Sequence, residues 1–171
     1  MQTILQREST QDCLQGKELK EIEDLKLYKI LGIDPGATTG IAMVGINEKR
    51  PSILHVEETK DVTLQSIIKL FEECDIVVCE DFLVRPGKAE SGAFNWSSMG
   101  TLRIIGAASA ISGMLGKPFV LQQPSIKPVG YGFSNQKYVP KKKGMHIQDA
   151  TAHAVYYAVR QKLAVPVKIG R

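Results

Sequence analysis

The sequence predicts an α/β protein, a mixed five-stranded sheet with helices on both faces. Three observations lead there. Three short strand patterns follow one another through tight turns, then helical and strand patterns alternate, and two of the apolar strands stop on a carboxylate. Strands joined by hairpins pair antiparallel and strands separated by helices pair parallel. A sheet that mixes the two is covered by helices on its faces.

The elements follow in chain order. Residues 1–28 form an extension in which Leu14, Leu19, Ile22 and Leu25 recur at helical spacing among charges, which predicts an amphipathic helix. Residues 29–34 (KILGID) are an apolar strand, and Pro35-Gly36 turns the chain into a second strand at 40–44. A third strand at 52–57 alternates its faces. Residues 63–73 are helical, with Leu64, Ile67, Ile68 and Phe71 on one side. Residues 75–81 (DIVVCED) are a buried strand, 84–95 a polar loop, and 96–113 a helix rich in Gly, Ala and Ser. A short strand at 119–122 precedes Pro124, which opens a helix, a position Pro favours. Residues 130–144 form a loop, 145–162 a long amphipathic helix, and 166–171 an irregular tail. The main domain is therefore residues 29–165, and a second domain has no room in 171 residues.

Composition narrows the function classes. Hydrophobic residues at 43% and charged residues at 23% are those of an ordinary globule with a real core. Three cysteines, Cys13, Cys74 and Cys79, fit neither a disulfide framework nor a zinc module. No apolar run spans a membrane, and MQTILQREST lacks a signal-peptide core, so the expected location is the cytoplasm, the host's if the gene is a phage's. The net charge of +4 hides a division. Residues 1–90 carry 11 basic and 17 acidic side chains, and residues 91–171 carry 11 basic and one acidic. No Asp or Glu lies between Ser91 and Gln148, a window that holds Arg103, Lys117, Lys127, Lys137, Lys141, Lys142 and Lys143. Such a single-sign stretch makes a positive field suited to a phosphate-rich partner. Phe94, Trp96, Tyr131, Phe133 and Tyr138 interleave these charges. The competing reading of the triple lysine is a solvated loop.

Against that background the acids stand out. Asp34 ends one apolar strand and Glu80 another. Asp-Pro-Gly also suits a plain turn, but a carboxylate closing the run Ile76-Val77-Val78-Cys79 is costly to bury without a partner or a metal. Asp149 is the one acid after Glu90, set among Ala150, Ala152, Ala154 and Val155. His146, Asp149 and His153 fall at i, i+3 and i+7, on one helix face. The plain reading of His153 is a hydrogen-bonded core histidine. Three carboxylates from three elements of a basic protein point to a hard divalent cation. Two such ions about 4 Å apart can activate water and stabilise the leaving oxygen of a phosphodiester. His146 fits beside them as a ligand or a proton carrier.

Four segments, in order, resemble the RuvC family of Holliday-junction resolvases. Ile30-Leu31-Gly32-Ile33-Asp34-Pro35-Gly36 looks like the family's opening strand. Val78-Cys79-Glu80-Asp81-Phe82 resembles the strand ending in its catalytic Glu. Pro124-Ser125-Ile126-Lys127 resembles the segment whose Lys binds DNA, and His146-Ile147-Gln148-Asp149-Ala150 the helix with the last catalytic acids. Asp-Pro-Gly-Ala-Thr-Thr-Gly together with His-x-x-Asp-Ala is most similar to the small RuvC-like proteins of bacteriophages. The resemblance spans residues 29–160. It implies an RNase H-like fold, a homodimer, and paired nicking of four-way or other branched DNA with Mg²⁺, or Mn²⁺ as substitute, two ions to a site. It carries Asp34, Glu80 and Asp149 over as metal ligands, with His146 where the family varies between Asp and His. Lys127, Lys137, Lys141, Lys142 and Lys143, with Arg85 and Lys88 in the loop after Glu80, are the candidate DNA contacts. The N-terminal extension and the 84–95 loop depart from the family pattern.

Three other readings share some of these residues. An RNase H-like nuclease of the pre-ribosomal-RNA processing type has the same fold and metals but cuts RNA. Sugar-kinase and actin-like ATPases also read Asp-x-Gly-x-Thr, as in Asp34-Pro35-Gly36-Ala37-Thr38, but need two such domains. A DNA-binding module with a decayed site would lack ligands that are all present here. For oligomerisation, Gly100, Gly106, Ala107, Ala108, Ala110 and Gly113, with Met99, Leu102 and Ile105, give helix 96–113 a face for a two-fold partner. The alternative is that this face packs on the chain's own sheet.

Overall fold

The computed structural model describes residues 27–82, 96–134 and 145–166. The expected N-terminal helix, the loop at 84–95 and the C-terminal tail beyond Pro166 lie outside them, as do Arg85, Lys88, Lys137, Lys141, Lys142 and Lys143. Strands β1 (Tyr28–Asp34), β2 (Thr39–Asn47) and β3 (Arg50–Thr59) come first. They are followed by helix α1 (Ile68–Glu73), strand β4 (Ile76–Glu80), helix α2 (Trp96–Met114), strand β5 (Phe119–Gln122), and helices α3 (Lys127–Phe133) and α4 (His146–Arg160). The sheet order is β3-β2-β1-β4-β5. β1 pairs antiparallel with β2 and parallel with β4, and β4 pairs parallel with β5. This is the expected mixed five-stranded sheet with helices on both faces. Among the described residues no helix is long and apolar enough to cross a membrane.

Side chains alternate along each strand and feed two cores. Leu31, Ile33, Ile41, Met43, Val77 and Cys79 pack with Leu64, Phe71, Ile104 and Ala108 beneath α1 and α2. Ile30, Val44, Ile46, Ile76 and Val78 pack with Ala154, Val155 and Ala158 of α4.

The structure departs from the sequence reading in four places. The β2–β3 hairpin is longer than 40–44 and 52–57 because Asn47 pairs with Arg50 across a two-residue turn. Glu48 and Lys49 both adopt positive φ there, a turn that Asn-Gly would have signalled and Glu-Lys does not. β3 is an edge strand with a bulge at Leu54, so the expected clean alternation is lost and Ile53, Leu54 and Val56 are all exposed. Residues 63–73 are not one helix. Leu64 sits at positive φ, a 3-10 turn covers Gln65–Ile67, and only then does α1 begin, leaving Ile68 exposed. Finally, α3 runs through Gly130 to Phe133, where a loop was expected. Gly130 lies against the Ala152 carbonyl, so it serves a close helix–helix approach rather than a chain break.

Candidate active site

Asp34 and Glu80 end β1 and β4, one step beyond the paired Ile33 and Cys79. They share strand parity with Ile30, Ile76 and Val78, so both face α4. That helix comes unusually close to the sheet. A Cβ on Gly32 would overlap the Ala150 carbonyl, and one on Gly40 the His146 carbonyl. Without side chains at these two positions, the first turns of α4 carry His146 and Asp149 onto the strand ends.

Three carboxylates converge there on one cation. Lys127, the first residue of α3, places its Nζ 2.9 Å from Asp34 Oδ1, 2.6 Å from Glu80 Oε2 and 2.8 Å from Asp149 Oδ2. Each carboxylate has a further partner. His146 Nδ1 lies 2.8 Å from Asp34 Oδ2, and His153 Nε2 lies 2.9 Å from Glu80 Oε2. The Tyr131 hydroxyl donates to Asp149 Oδ1 at 2.8 Å. Asp34 is only 5% exposed and His153 is fully buried. Ions this far from water cost several kcal/mol each unless paired and hydrogen-bonded, and here every carboxylate is.

Electrostatics follow the contacts. Burial works against the Lys127 ammonium, but Asp34 and Glu80 and its hydrogen bonds to Asp149 and Glu80 outweigh it and raise its pKa. Burial likewise opposes the Glu80 carboxylate, and His153 and Lys127 reverse that and hold its pKa low. Burial and the hydrogen bond to Asp149 push the Tyr131 phenol up. The bond to Asp34 raises His146 against its partial burial.

His153 is held from both sides, because its Nδ1 lies 2.8 Å from Gln122 Oε1. With that oxygen accepting, both ring nitrogens donate. Turning the Gln122 amide over lets it donate instead, and the ring then donates from Nε2 alone. In either arrangement Nε2 carries the proton that Glu80 accepts.

The structure therefore brings together Asp34, Glu80, Asp149 and His146 from the sequence reading. It places Lys127 differently: the side chain expected on DNA phosphates is folded in among the carboxylates, the nearest strong negative charge. Three neighbours have contacts that the sequence does not report. His153 is the satisfied core histidine of the plain reading, yet what it satisfies is Glu80. Tyr131 reads in the sequence only as an aromatic among basic residues. Gln122 carries a sequence signal of its own, a polar residue ending β5 directly beside Glu80 in the parallel register.

The donor set suits a hard cation, since three carboxylate oxygens already surround one positive centre. Their spacing is that of an ammonium, 2.6–2.9 Å, rather than the roughly 2.1 Å of Mg²⁺–oxygen bonds. Accordingly, among the described residues no group of three or more His, Cys, Asp or Glu side chains is set so that it could hold a metal ion with Lys127 in place. Asp34, Glu80 and Asp149, with His146 at the rim, are the donors that come nearest to such a set.

No family model matches the sequence, and no curated protein matches it. Solved structures do match in fold. The Thermus thermophilus RuvC structure is 19% identical, covers 81% of this chain and 99% of its own, and superposes with a TM-score of 0.57. The same enzyme in complex with a Holliday junction substrate gives 0.54 at the same identity and coverage. The fold is RuvC-like. The yeast mitochondrial Holliday junction resolvase Ydc2, at 16% identity, covers 93% of this chain and 89% of its own with a TM-score of 0.51. The RuvC-like frame, of the RNase H-like class, thus extends over most of this chain, and Asp34, Glu80 and Asp149 lie together at one end of its sheet.

Proposed function

We propose that this protein is a divalent-metal-dependent endonuclease that cuts four-way or other branched DNA by paired nicking. The observation that carries the reading is the convergence of Asp34, Glu80 and Asp149, from β1, β4 and α4, on a single cationic centre. A RuvC-like fold supports it, as do two of the matched structures, a RuvC in complex with a Holliday junction substrate and a yeast mitochondrial Holliday junction resolvase. In the proposal the three carboxylates hold Mg²⁺ or Mn²⁺. Bound there, the metal supplies polarisation of the scissile phosphate and a more acidic water. Glu80 is held in register by His153 and Asp149 by Tyr131, so the acceptor oxygens are fixed before substrate arrives. His146, about one-third exposed, orients Asp34 and stands at the rim where a proton can pass to solvent. The nucleic acid lies along the basic second half of the chain, with Lys137, Lys141, Lys142, Lys143, Arg85 and Lys88 as further phosphate contacts.

A four-way junction presents two equivalent strands, and a two-fold dimer would serve both. Helix α2 supports this part of the proposal. Thr101, Ile104, Ala108 and Ser112 are turned to the chain's own core, while Met99, Leu102 and Met114 are exposed. Gly100, Gly106 and Gly113 border open space. The expected location is the cytoplasm.

The test is a cleavage panel in Mg²⁺: four-way junction, fork, flap, linear duplex and RNA hairpin. Symmetric nicks in the junction are expected. Asp34→Asn, Glu80→Gln and Asp149→Asn should each abolish them while junction binding is nearly kept, because phosphate contacts come from elsewhere. Cutting of the RNA hairpin alone would move the activity to RNA, and a variant that cuts at the wild-type rate would remove its residue from the site.

A further inference from the structure

Lys127 has two candidate places, one on a DNA phosphate, as the resemblance of its segment implies, and one among the carboxylates, where the structure holds it. It cannot hold both. Its ammonium donates to Asp34 and Asp149 and pairs with Glu80, so all three carboxylates already hold it. Nor can a divalent ion take the point where the three carboxylates meet while the ammonium fills it. The position is not sealed, since the Lys127 side chain keeps 17% of its exposure. Its stem is four flexible carbons on the first residue of a short helix. We propose that Lys127 is an exchangeable internal counter-ion: it holds the three carboxylates together in the metal-free protein and leaves them when a backbone phosphate takes its ammonium. Metal loading is thereby coupled to nucleic-acid binding.

The inference rests on the proposed function and deepens it. Its physical content is a free-energy coupling between two ligands, which must be reciprocal. Phosphate that removes the ammonium tightens the metal, and metal that displaces the ammonium tightens the phosphate. Without substrate the ammonium keeps the carboxylates from taking up stray divalent ions.

The experiment measures Mn²⁺ binding to the full-length chain from loss of the free-ion paramagnetic resonance signal. A four-way DNA junction with uncleavable linkages is added or withheld, and the junction alone serves as blank. Wild type should bind Mn²⁺ about 5- to 150-fold more tightly with the junction than without it, the range of ordinary coupling energies. Lys127→Met should bind it more tightly by a similar factor without the junction and gain nothing further on its addition. Lys127→Met should also melt lower than wild type in chelator and recover with Mn²⁺. A wild-type affinity unchanged by a junction that demonstrably binds overturns the proposal, even if Lys127→Met fails to fold. Equal Mn²⁺ affinity of a folded Lys127→Met and wild type also overturns it. Asp149→Asn separates the two levels. If it keeps the wild-type Mn²⁺ affinity, the carboxylate site and the proposed function fall together. If it loses Mn²⁺ while Lys127→Met gains none, only the counter-ion role falls.

Discussion

On one face of the sheet Phe71, Leu64, Ile104 and Ala108 cover Leu31, Ile33, Ile41 and Met43. On the other, Ala150, Ala154, Val155 and Ala158 of α4 lie over Ile30, Val44 and Val78, with Gly32 and Gly40 beneath the helix backbone. The first face is built from large side chains and carries no buried ion pair among the described residues. On the second, the helix laid over the sheet contributes mostly alanines, and that face ends in Asp34, Glu80, Asp149, Lys127 and His153. Bulky aliphatics supply the hydrophobic term, roughly 1.5–3 kcal/mol for each side chain fully buried. Alanines and glycines give up much of that and gain a short helix-to-sheet distance. That distance is what lets carboxylates from α4 and from two strands meet. One face secures the fold and the other sets the geometry.

The comparison can be broken by disturbing each face alone. Gly40→Ala or Gly32→Ala pushes a Cβ into the backbone of α4, so the helix must shift. A displacement of about 1 Å at reacting groups costs on the order of 100-fold in rate, and such a loss of cleavage is expected even at temperatures where the variant stays folded. Phe71→Ala should do the reverse. It should cost about 3–5 kcal/mol of stability by denaturant titration and leave the cleavage rate of the folded fraction near wild type. If Phe71→Ala and Gly40→Ala lowered activity equally at matched folded fraction, the division between the faces would be lost.

His153 lies where the two roles meet, in the α4 core and on Glu80. His153→Ala leaves Glu80 and Gln122 without their buried partner, for about 1–3 kcal/mol. Cleavage should fall as well, with kcat rather than KM affected. His153→Gln, which can still donate to Glu80, should recover part of the rate. Stability lost with no change in kcat would make His153 a packing residue only.

The smallest effect is expected at the rim. His146 has its pKa raised above 6.5 by Asp34, so protons bind more tightly in the folded than in the unfolded chain. Its contribution to stability is complete below 6.5 and disappears as pH rises through the raised folded value. In metal-free protein the melting temperatures of wild type and His146→Asn should therefore converge as pH increases through that window. A gap constant with pH would mean that His146 acts by packing.

The carboxylates were legible because their sequence context is incongruous. Asp34 and Glu80 close apolar strands, and Asp149 is the single acid of an otherwise basic half. The strand and helix order gave the sheet for the same reason, since hairpin and crossover connections leave different spacings. What was hidden depends on contacts distant in sequence or on unusual backbone. His153 meets Gln122 and Glu80 across 31 and 73 residues, and no periodicity reports such a meeting. Tyr131 reaches Asp149 only because α3 and α4 pack closely over Gly130. Glu48-Lys49 makes a hairpin turn that its residue types do not advertise. Lys127 was legible as a cation and illegible as to its partner, because phosphates and buried carboxylates attract it alike.

The most direct test of a cation-dependent nuclease site at the α4 end of the sheet is strand scission of one four-way DNA junction by the wild-type protein. It is followed on a denaturing gel, in Mg²⁺ and then in chelator. Paired nicks at symmetric positions are expected in Mg²⁺, none in chelator, and recovery when the metal is returned. Cutting that persists undiminished in chelator, or a junction left intact in Mg²⁺ and in Mn²⁺, would contradict it.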